Sequence, residues 1–176
     1  MIAFCHADPR LPFLRDNKDQ PAARWHDAGE GPAHYFSDTP DGAWAELLRH
    51  EEIQDAEDLA TIRRAMWAVE IGHEPSARPE LADATLTGGP DSYVACQHEA
   101  ARLRAAGTTR LDAPSAALGP GGAHGHVSDG QLRPGPPRDA TTVVLFGARP
   151  ALVGWRAAHE GRPAPELLAR VRHFTR

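Results

Sequence analysis

The first clear helical pattern in the chain follows a threonine-proline pair. Trp44, Leu47 and Leu48 recur at spacings of three and four residues, so their side chains share one face of a helix. Thr39 stands before Pro40-Asp41, and a threonine hydroxyl ahead of a proline and an acidic residue is typical of a helix start. We therefore predict a helix from about Gly42 to Glu51 with this apolar face against the core.

Short apolar runs predict strands. Thr141 to Phe146 (TTVVLF) is β-branched and apolar on both faces, which favours a position inside a sheet. Further short strands are predicted at Ile2 to His6, Ala33 to Ser37, Ala65 to Ile71, Arg110 to Ala113 and Ala151 to Arg156.

The segments between these strands are predicted to form helices and loops. The clearest helix of the chain is predicted from Tyr93 to Ala106, because Gly107 follows where glycine commonly ends a helix. We also predict a short helix from Asp55 to Arg63, a loop from Gly72 to Pro90, a flexible glycine- and proline-rich loop at about 119–137, and a short helix or strand from Pro165 to His173. Strands and helices without a regular βαβ rhythm predict an α+β fold, with a small mixed or antiparallel sheet and flanking helices.

Composition limits the size and the partners of this fold. A chain of 176 residues with 41% hydrophobic residues suits one domain spanning 1–176. The net charge of -5 and the pI near 6.0 provide no basic field for a nucleic-acid polymer, so direct nucleic-acid binding is not expected. Eighteen of the nineteen cations are arginines, and arginine in a pocket holds carboxylates and phosphates through paired hydrogen bonds.

The sequence shows no membrane or secretory signal. Its first residues, MIAFCHADPR, lack the basic-then-apolar pattern of a signal peptide, and no apolar run approaches the roughly 18 to 20 residues that span a bilayer. Cys5 and Cys96 stand far apart and form no CxxC pair, so we expect free thiols. The expected compartment is the cytoplasm.

Two chemistries are disfavoured by their sequence context. His124 and His126 could ligate a metal, but two further ligands are missing and the glycine-rich stretch around them has no phosphate-loop ending. We therefore expect no metal site. Ser115 follows a short strand but lacks the GxSxG elbow of serine hydrolases.

An acidic residue at the edge of an apolar helix face is more informative about function than these histidines and this serine. Glu46 lies within the run AWAELL, where an unpaired carboxylate would be costly to desolvate. A structural explanation is a salt bridge to Arg24 or to another arginine. A functional explanation is a ligand that needs a carboxylate at this place.

The order of these residues resembles the RES domain family, which is named for an Arg, Glu and Ser signature. Arg24 in an Arg-Trp pair, Tyr35 in a short strand, Glu46 in Trp-Ala-Glu-Leu-Leu and Ser115 in Ala-Pro-Ser-Ala match that signature in order and spacing. The resemblance covers roughly residues 2–156. It implies an ADP-ribosyltransferase-like fold.

The resemblance also implies an activity. Members of the family include toxins that degrade NAD, some by phosphorolysis, and they are typically paired with a helix-turn-helix antitoxin. By this resemblance NAD is the substrate, inorganic phosphate is a possible co-substrate, and no prosthetic group is required. Arg24, Glu46 and Ser115 would then be catalytic, and Tyr35 would join them in binding NAD. Two alternatives stay open: ADP-ribosyl transfer to a macromolecule, and a non-catalytic nucleotide-binding module.

The chain departs from the family pattern at two places. Ala23 precedes the Arg-Trp pair where the family often has glycine, and the first strand carries Phe4-Cys5-His6 where the family often has an arginine. Arg10 or Arg15 could replace that cation.

Overall fold

A six-stranded antiparallel sheet is the main element of this computed structural model, which describes residues 1–17 and 19–174. The strands in chain order are β1 (Ile2–Ala7), β2 (Ala33–Ser37), β3 (Arg64–Glu70), β4 (Arg110–Pro114), β5 (Ala123–Ser128), β6 (Leu132–Arg138), β7 (Thr141–Phe146) and β8 (Val153–Gly161). The main sheet has the order β4-β7-β2-β1-β3-β8, and β5 and β6 form a separate hairpin. Together with the helices, this sheet confirms the predicted α+β class.

Four α-helices accompany the sheet in the part of the chain that the structure describes. They are α1 (Pro40–His50), α2 (Ala56–Leu59), α3 (Asp83–Thr87) and α4 (Tyr93–Ala105), with short 3-10 turns at Pro90–Ser92 and Pro165–Arg170. The Thr39 hydroxyl accepts a hydrogen bond from the Gly42 amide at 3.0 Å, so Thr39 caps the helix as predicted, although α1 begins at Pro40, two residues before the predicted Gly42. Gly107 has a φ of +90°, a conformation in which glycine readily ends α4. None of the described helices is long and apolar enough to cross a membrane.

Helices α1 and α4 pack on one face of the sheet. The apolar face of α1, formed by Trp44, Leu47 and Leu48, is buried as predicted. It belongs to one core cluster with Met66 of β3 and Leu167 of the C-terminal 3-10 turn. A second cluster joins α4 to β4 and β7 through Cys96, Leu103, Leu111 and Val144. The opposite face of the sheet is covered by Phe13 and Leu14 of the segment after β1. Burial of these apolar side chains supplies the main driving force for this packing.

The predicted strands are confirmed, with shifted ends at several of them. β7 lies between β4 and β2, and three successive residues, Val143, Val144 and Leu145, are completely buried. A strand that is apolar on both faces is stable only when both faces are covered, so the interior position follows from its sequence. The predicted short helix over Asp55 to Arg63 is shorter than expected, because it spans only Ala56–Leu59.

Two loop predictions are wrong. The stretch 119–137 is not an irregular loop, because β5 and β6 pair across it, from Ala123 opposite Arg138 to Ser128 opposite Leu132. Its exposed strands lack an alternating apolar pattern, and β6 contains prolines that a two-stranded hairpin tolerates along its unpaired edge. The predicted loop from Gly72 to Pro90 contains helix α3, which buries Leu86.

The sheet is split at its centre. β1 and β3 pair over six positions, whereas β1 and β2 are in register only at Phe4 and Ser37. The two strands diverge from that point, and cavities open between them on both sides of the sheet. The candidate active site lies in this split.

Candidate active site

A cavity of about 340 Å³ fills the split between β1 and β2. β1 contributes Phe4, Cys5 and His6, and β2 contributes Tyr35, Phe36 and Ser37. Further walls come from the Arg24-Trp25 segment, from α1, from the start of α4 and from the end of β4. Its volume lies in the range of cavities that bind small molecules.

Glu46 reaches this cavity from α1. Its carboxylate lies 3.5 Å from the His50 imidazole one turn later and 3.5 Å from the Thr142 hydroxyl of β7. Among residues 1–17 and 19–174, no arginine lies within ion-pair distance of Glu46, so the structural explanation, a salt bridge to Arg24 or to another arginine, does not hold. The side chain is 28% exposed, which leaves its carboxylate available to a molecule in the cavity.

Arg24 also lines the cavity, but backbone carbonyls hold it. The guanidinium of Arg24 donates to the carbonyl oxygens of Thr85 at 3.2 Å and Gly88 at 2.6 Å, and to the Ser92 hydroxyl at 3.0 Å. The Tyr93 ring lies against it, 4.6 Å from the guanidinium carbon. These partners are neutral, so they satisfy hydrogen bonds without cancelling the positive charge.

Arg49 is a second cavity arginine that the sequence analysis did not single out. It is only 3% exposed, and it donates to the carbonyls of Ala116 and Gly88. Burial lowers the pKa of Arg49, and the positive charge of Arg24 acts in the same direction while Glu46 opposes it. Arg49 stands three residues after Glu46, and this helical spacing was the available sequence signal for it.

Arg24 and Arg49 therefore form a pair of buried cations. Both donate to the same carbonyl oxygen, that of Gly88. Within the described part of the chain, neither arginine has a carboxylate at ion-pair distance, whereas nine other arginines do. A buried charge is costly unless it is paired, so this pair favours an anionic ligand in the cavity.

Tyr35 positions the segment that carries Arg24. Its hydroxyl accepts a hydrogen bond from the Trp25 amide at 3.0 Å and lies 2.9 Å from Nδ1 of His26. Burial lowers the pKa of His26 and raises that of Tyr35, so a neutral His26 can accept a hydrogen bond from the Tyr35 hydroxyl. The Tyr35 ring lines the cavity as well, where a flat group of a ligand could stack on it.

His6 occupies the first strand where the family pattern often has an arginine. Its ring stacks on Trp44, with 6.2 Å between centroids and 5° between planes. Burial lowers the pKa of His6 to about 4, and the Arg64 cation acts in the same direction. The imidazole is therefore neutral near pH 7, and its enclosed Nδ1 has no hydrogen-bond partner among the described residues.

Neither Arg10 nor Arg15 supplies a cation to the main cavity. Arg10 is 87% exposed and pairs with Asp8 at 2.9 Å. Arg15 lines the second cavity of the split, which shares His6 and Tyr35 with the first. The additional cation of the main cavity is Arg49.

Ser115 lies outside the main cavity. Its neighbours Pro114 and Ala116 line that cavity, but Ser115 itself lines an adjacent cavity behind the end of β4. Its hydroxyl accepts a hydrogen bond from the Leu118 amide at 3.1 Å and is buried. The structure thus brings Arg24, Tyr35 and Glu46 to one cavity and leaves Ser115 as a turn residue beside it.

No group of three or more potential metal ligands occurs among the residues that the structure describes. His124 belongs to the exposed β5 strand, where its amide donates to Asp41 at 3.0 Å. The main cavity instead combines one carboxylate, two guanidiniums and the imidazoles of His6 and His50 on largely apolar walls. Such a set can bind an anionic ligand and stabilise a cation that develops beside Glu46.

The comparison with known families agrees with the resemblance to the RES domain family. The family model of the RES domain matches residues 9–166 of the 176-residue chain. No curated protein matches the chain. Because the family model covers most of its length, the chain belongs to the RES domain family.

Proposed function

We propose that this RES domain chain cleaves NAD at the bond between nicotinamide and ribose, with inorganic phosphate or water as the acceptor. The observation that carries the proposal is the juxtaposition of Glu46 with the buried Arg24–Arg49 pair in one cavity. NAD presents both chemistries that this cavity would complement, a diphosphate and a ribose that becomes cationic. Family membership supports the same choice of substrate.

The reaction needs a carboxylate beside the ribose. As the bond between ribose carbon and nicotinamide nitrogen breaks, the electron pair leaves with nicotinamide, which departs neutral, and the ribose becomes oxocarbenium-like. A carboxylate stabilises such a cation, as it does in glycoside hydrolysis. Glu46 has this role in the proposal, because it is the acidic side chain among the residues that line the main cavity.

The two arginines hold the negative part of the substrate. Their guanidiniums are fixed by carbonyls of α3, of Gly88 after it and of Ala116, so they lose little freedom when a ligand binds. In the proposal they bind the NAD diphosphate or an attacking phosphate through charge-assisted hydrogen bonds. Tyr35 fixes the Arg24-Trp25 segment and offers its ring to the ribose or nicotinamide.

The biological role follows from the same chemistry. An enzyme that consumes NAD without restraint would be toxic to the cell that makes it. We therefore propose that the chain is the toxin of a toxin-antitoxin pair, and that a helix-turn-helix antitoxin restrains it by covering the NAD cavity. Expression of wild-type protein alone should arrest growth and deplete NAD, while the Glu46→Gln variant should do neither.

The direct test is nicotinamide release from NAD by the purified chain, with and without inorganic phosphate. We expect release by wild type and a loss of about 100-fold or more in Glu46→Gln, because the carboxylate charge acts on the transition state. Glu57→Gln changes an exposed glutamate of α2 and is the matched control. No release by wild type, or equal rates in Glu46→Gln and wild type, would refute the proposal.

The same assay distinguishes the acceptors. A product that contains ADP-ribose and phosphate, formed only when phosphate is present, identifies phosphorolysis. Free ADP-ribose at a rate independent of phosphate identifies hydrolysis. Label from NAD on protein or nucleic acid identifies ADP-ribosyl transfer, and NAD that binds but stays intact identifies a non-catalytic module.

A further inference from the structure

The C-terminal segment lies against the candidate site. The match to the family model ends at residue 166, yet residues 170–174 contact both α1 and the turn that contains Ser115. We propose that this segment braces the NAD site, with Phe174 as a positioning residue for the Arg49 guanidinium. The inference rests on the proposed NAD cleavage, because Arg49 is assigned there to the anionic part of the substrate.

Backbone hydrogen bonds attach the segment to the Ser115 turn. The Gly119 amide donates to the Arg170 carbonyl at 2.9 Å, and the Arg172 amide donates to the Ala117 carbonyl at 2.7 Å. The Arg172 side chain adds a bond to the Ser115 carbonyl at 2.9 Å. Residues 170–172 therefore fix the turn whose Pro114 and Ala116 line the main cavity.

Phe174 extends this brace to α1. Its ring centroid lies 4.5 Å from the guanidinium carbon of Arg49 and 6.0 Å from the His50 ring, at an interplanar angle of 67° to that ring. The edge of the Arg49 guanidinium is already bonded to the carbonyls of Ala116 and Gly88. Phe174 covers one face, so edge and face contacts together fix the plane of the cation.

This contact differs from the core packing nearby. Leu167 is almost completely buried in the α1 cluster, whereas Phe174 is only partly buried and lies on a charged group. Loss of the Phe174 ring would leave that core in place. It would admit water to the Arg49 face and release the orientation of the guanidinium, which a bound diphosphate would have to restore.

The test compares Phe174→Ala with wild type in steady-state NAD cleavage. We expect KM for NAD to rise about tenfold with kcat within about threefold, because a positioned cation that binds the diphosphate contributes mainly to substrate binding. Phe174→Tyr keeps an aromatic face and should stay within about twofold of wild type. Arg156→Ala removes another cation–aromatic pair, Arg156 over Trp67 at 4.8 Å, and should leave KM unchanged.

Two further measurements keep the inference testable. Phe174→Leu retains an apolar side chain, so it replaces Phe174→Ala if that variant unfolds, and its KM should also rise. In the NMR spectrum, the Nε–Hε signal of Arg49 should move when the Phe174 ring is removed, since aromatic rings shift nearby resonances. An unchanged KM in a folded variant, or an unmoved Arg49 signal, would overturn the positioning role. Absence of NAD cleavage by wild type would instead refute the proposed function, and the NMR comparison would still decide whether Phe174 holds Arg49.

Discussion

Two places in this protein bury arginines in different ways. On β4, at the edge of the sheet, Arg110 is 8% exposed and makes two hydrogen bonds of 2.8 Å to the carboxylate of Asp112. In the split at the centre of the sheet, Arg24 and Arg49 are buried to a similar degree, but their partners are carbonyls, a hydroxyl and aromatic rings. The positive charge of Arg110 at the sheet edge is neutralised by Asp112, whereas the positive charges of Arg24 and Arg49 in the split have no carboxylate partner among the described residues.

This difference separates structural support from binding. A carbonyl satisfies an N–H donor but cancels no charge, so the Arg24–Arg49 pair keeps a positive potential that a carboxylate partner would remove. Glu46 lines the same cavity without closing an ion pair to either arginine. The split therefore holds separated charges on fixed supports, an arrangement that stabilises a ligand and a transition state with the opposite charge pattern.

The largest expected effect comes from removing a cation of the split. Arg49→Met should lower kcat/KM for NAD by about 1,000-fold, since it removes both the charge and the fixed fork of donors. Arg49→Lys restores the charge without the fork and should recover part of that loss. The measurement is nicotinamide release at several NAD concentrations.

Arg110→Lys is the control for these variants, because it changes a buried arginine that already has a carboxylate partner. It should leave kcat/KM within about twofold of wild type. Equal losses in Arg110→Lys and Arg49→Lys would show that the two places do not differ in function.

The next effect concerns stability at the sheet edge. Asp112→Asn leaves the Arg110 cation buried without its carboxylate, and we expect the free energy of unfolding to fall by about 3 kcal/mol. Urea denaturation measures this change. Asp129→Asn is the control, because its ion pair with Arg133 is exposed, at 3.7 Å, and should contribute less than about 1 kcal/mol. Similar losses in both variants would contradict the assignment of Arg110 and Asp112 as a structural pair.

Local patterns predicted much of the split. The sequence placed Tyr35 in a strand and Glu46 on a helix that starts at a threonine cap, and the structure has both. Arg24, Tyr35 and Glu46 belong to elements that follow one another along the chain, so their order and spacing already indicated that they could meet. Arg49 could have been added from its position one helical turn after Glu46.

Other features of the site depend on contacts that no local pattern reports. Ser115 stands between two residues that line the cavity, but it lies in the turn after β4, where it lines the adjacent cavity and its hydroxyl accepts a hydrogen bond from the Leu118 amide. Phe174 meets Arg49 across more than 120 residues of chain, and nothing in its neighbourhood in the sequence predicts that contact. The β5–β6 hairpin has no buried alternating face, so its composition suggested a loop.

Glu99 on α4 and His6 in the split should also lose their contributions to stability in different ranges of pH. On α4, hydrogen bonds from Arg102 and then from the Glu80 amide lower the pKa of Glu99 to about 2. The folded state therefore binds fewer protons there than the unfolded state, and this contribution to stability is lost as the pH falls from about 4.5 towards 2. Glu99→Gln should change the pH dependence only in that range.

In the split, stability depends on pH in a higher range, because of His6. Its pKa of about 4 in the folded protein lies below the ordinary value of 6.5, so protonation favours the unfolded chain and stability falls as the pH drops from 6.5 to 4. Allowing for the partial exposure of the ring, this loss amounts to about 2 kcal/mol by pH 4. Urea denaturation at pH 7, 5.5 and 4 should show that His6→Gln removes this loss, whereas His159→Gln, at an exposed site, keeps it. If His6→Gln lost stability with pH as steeply as wild type, His6 would not be a neutral, enclosed imidazole in the split.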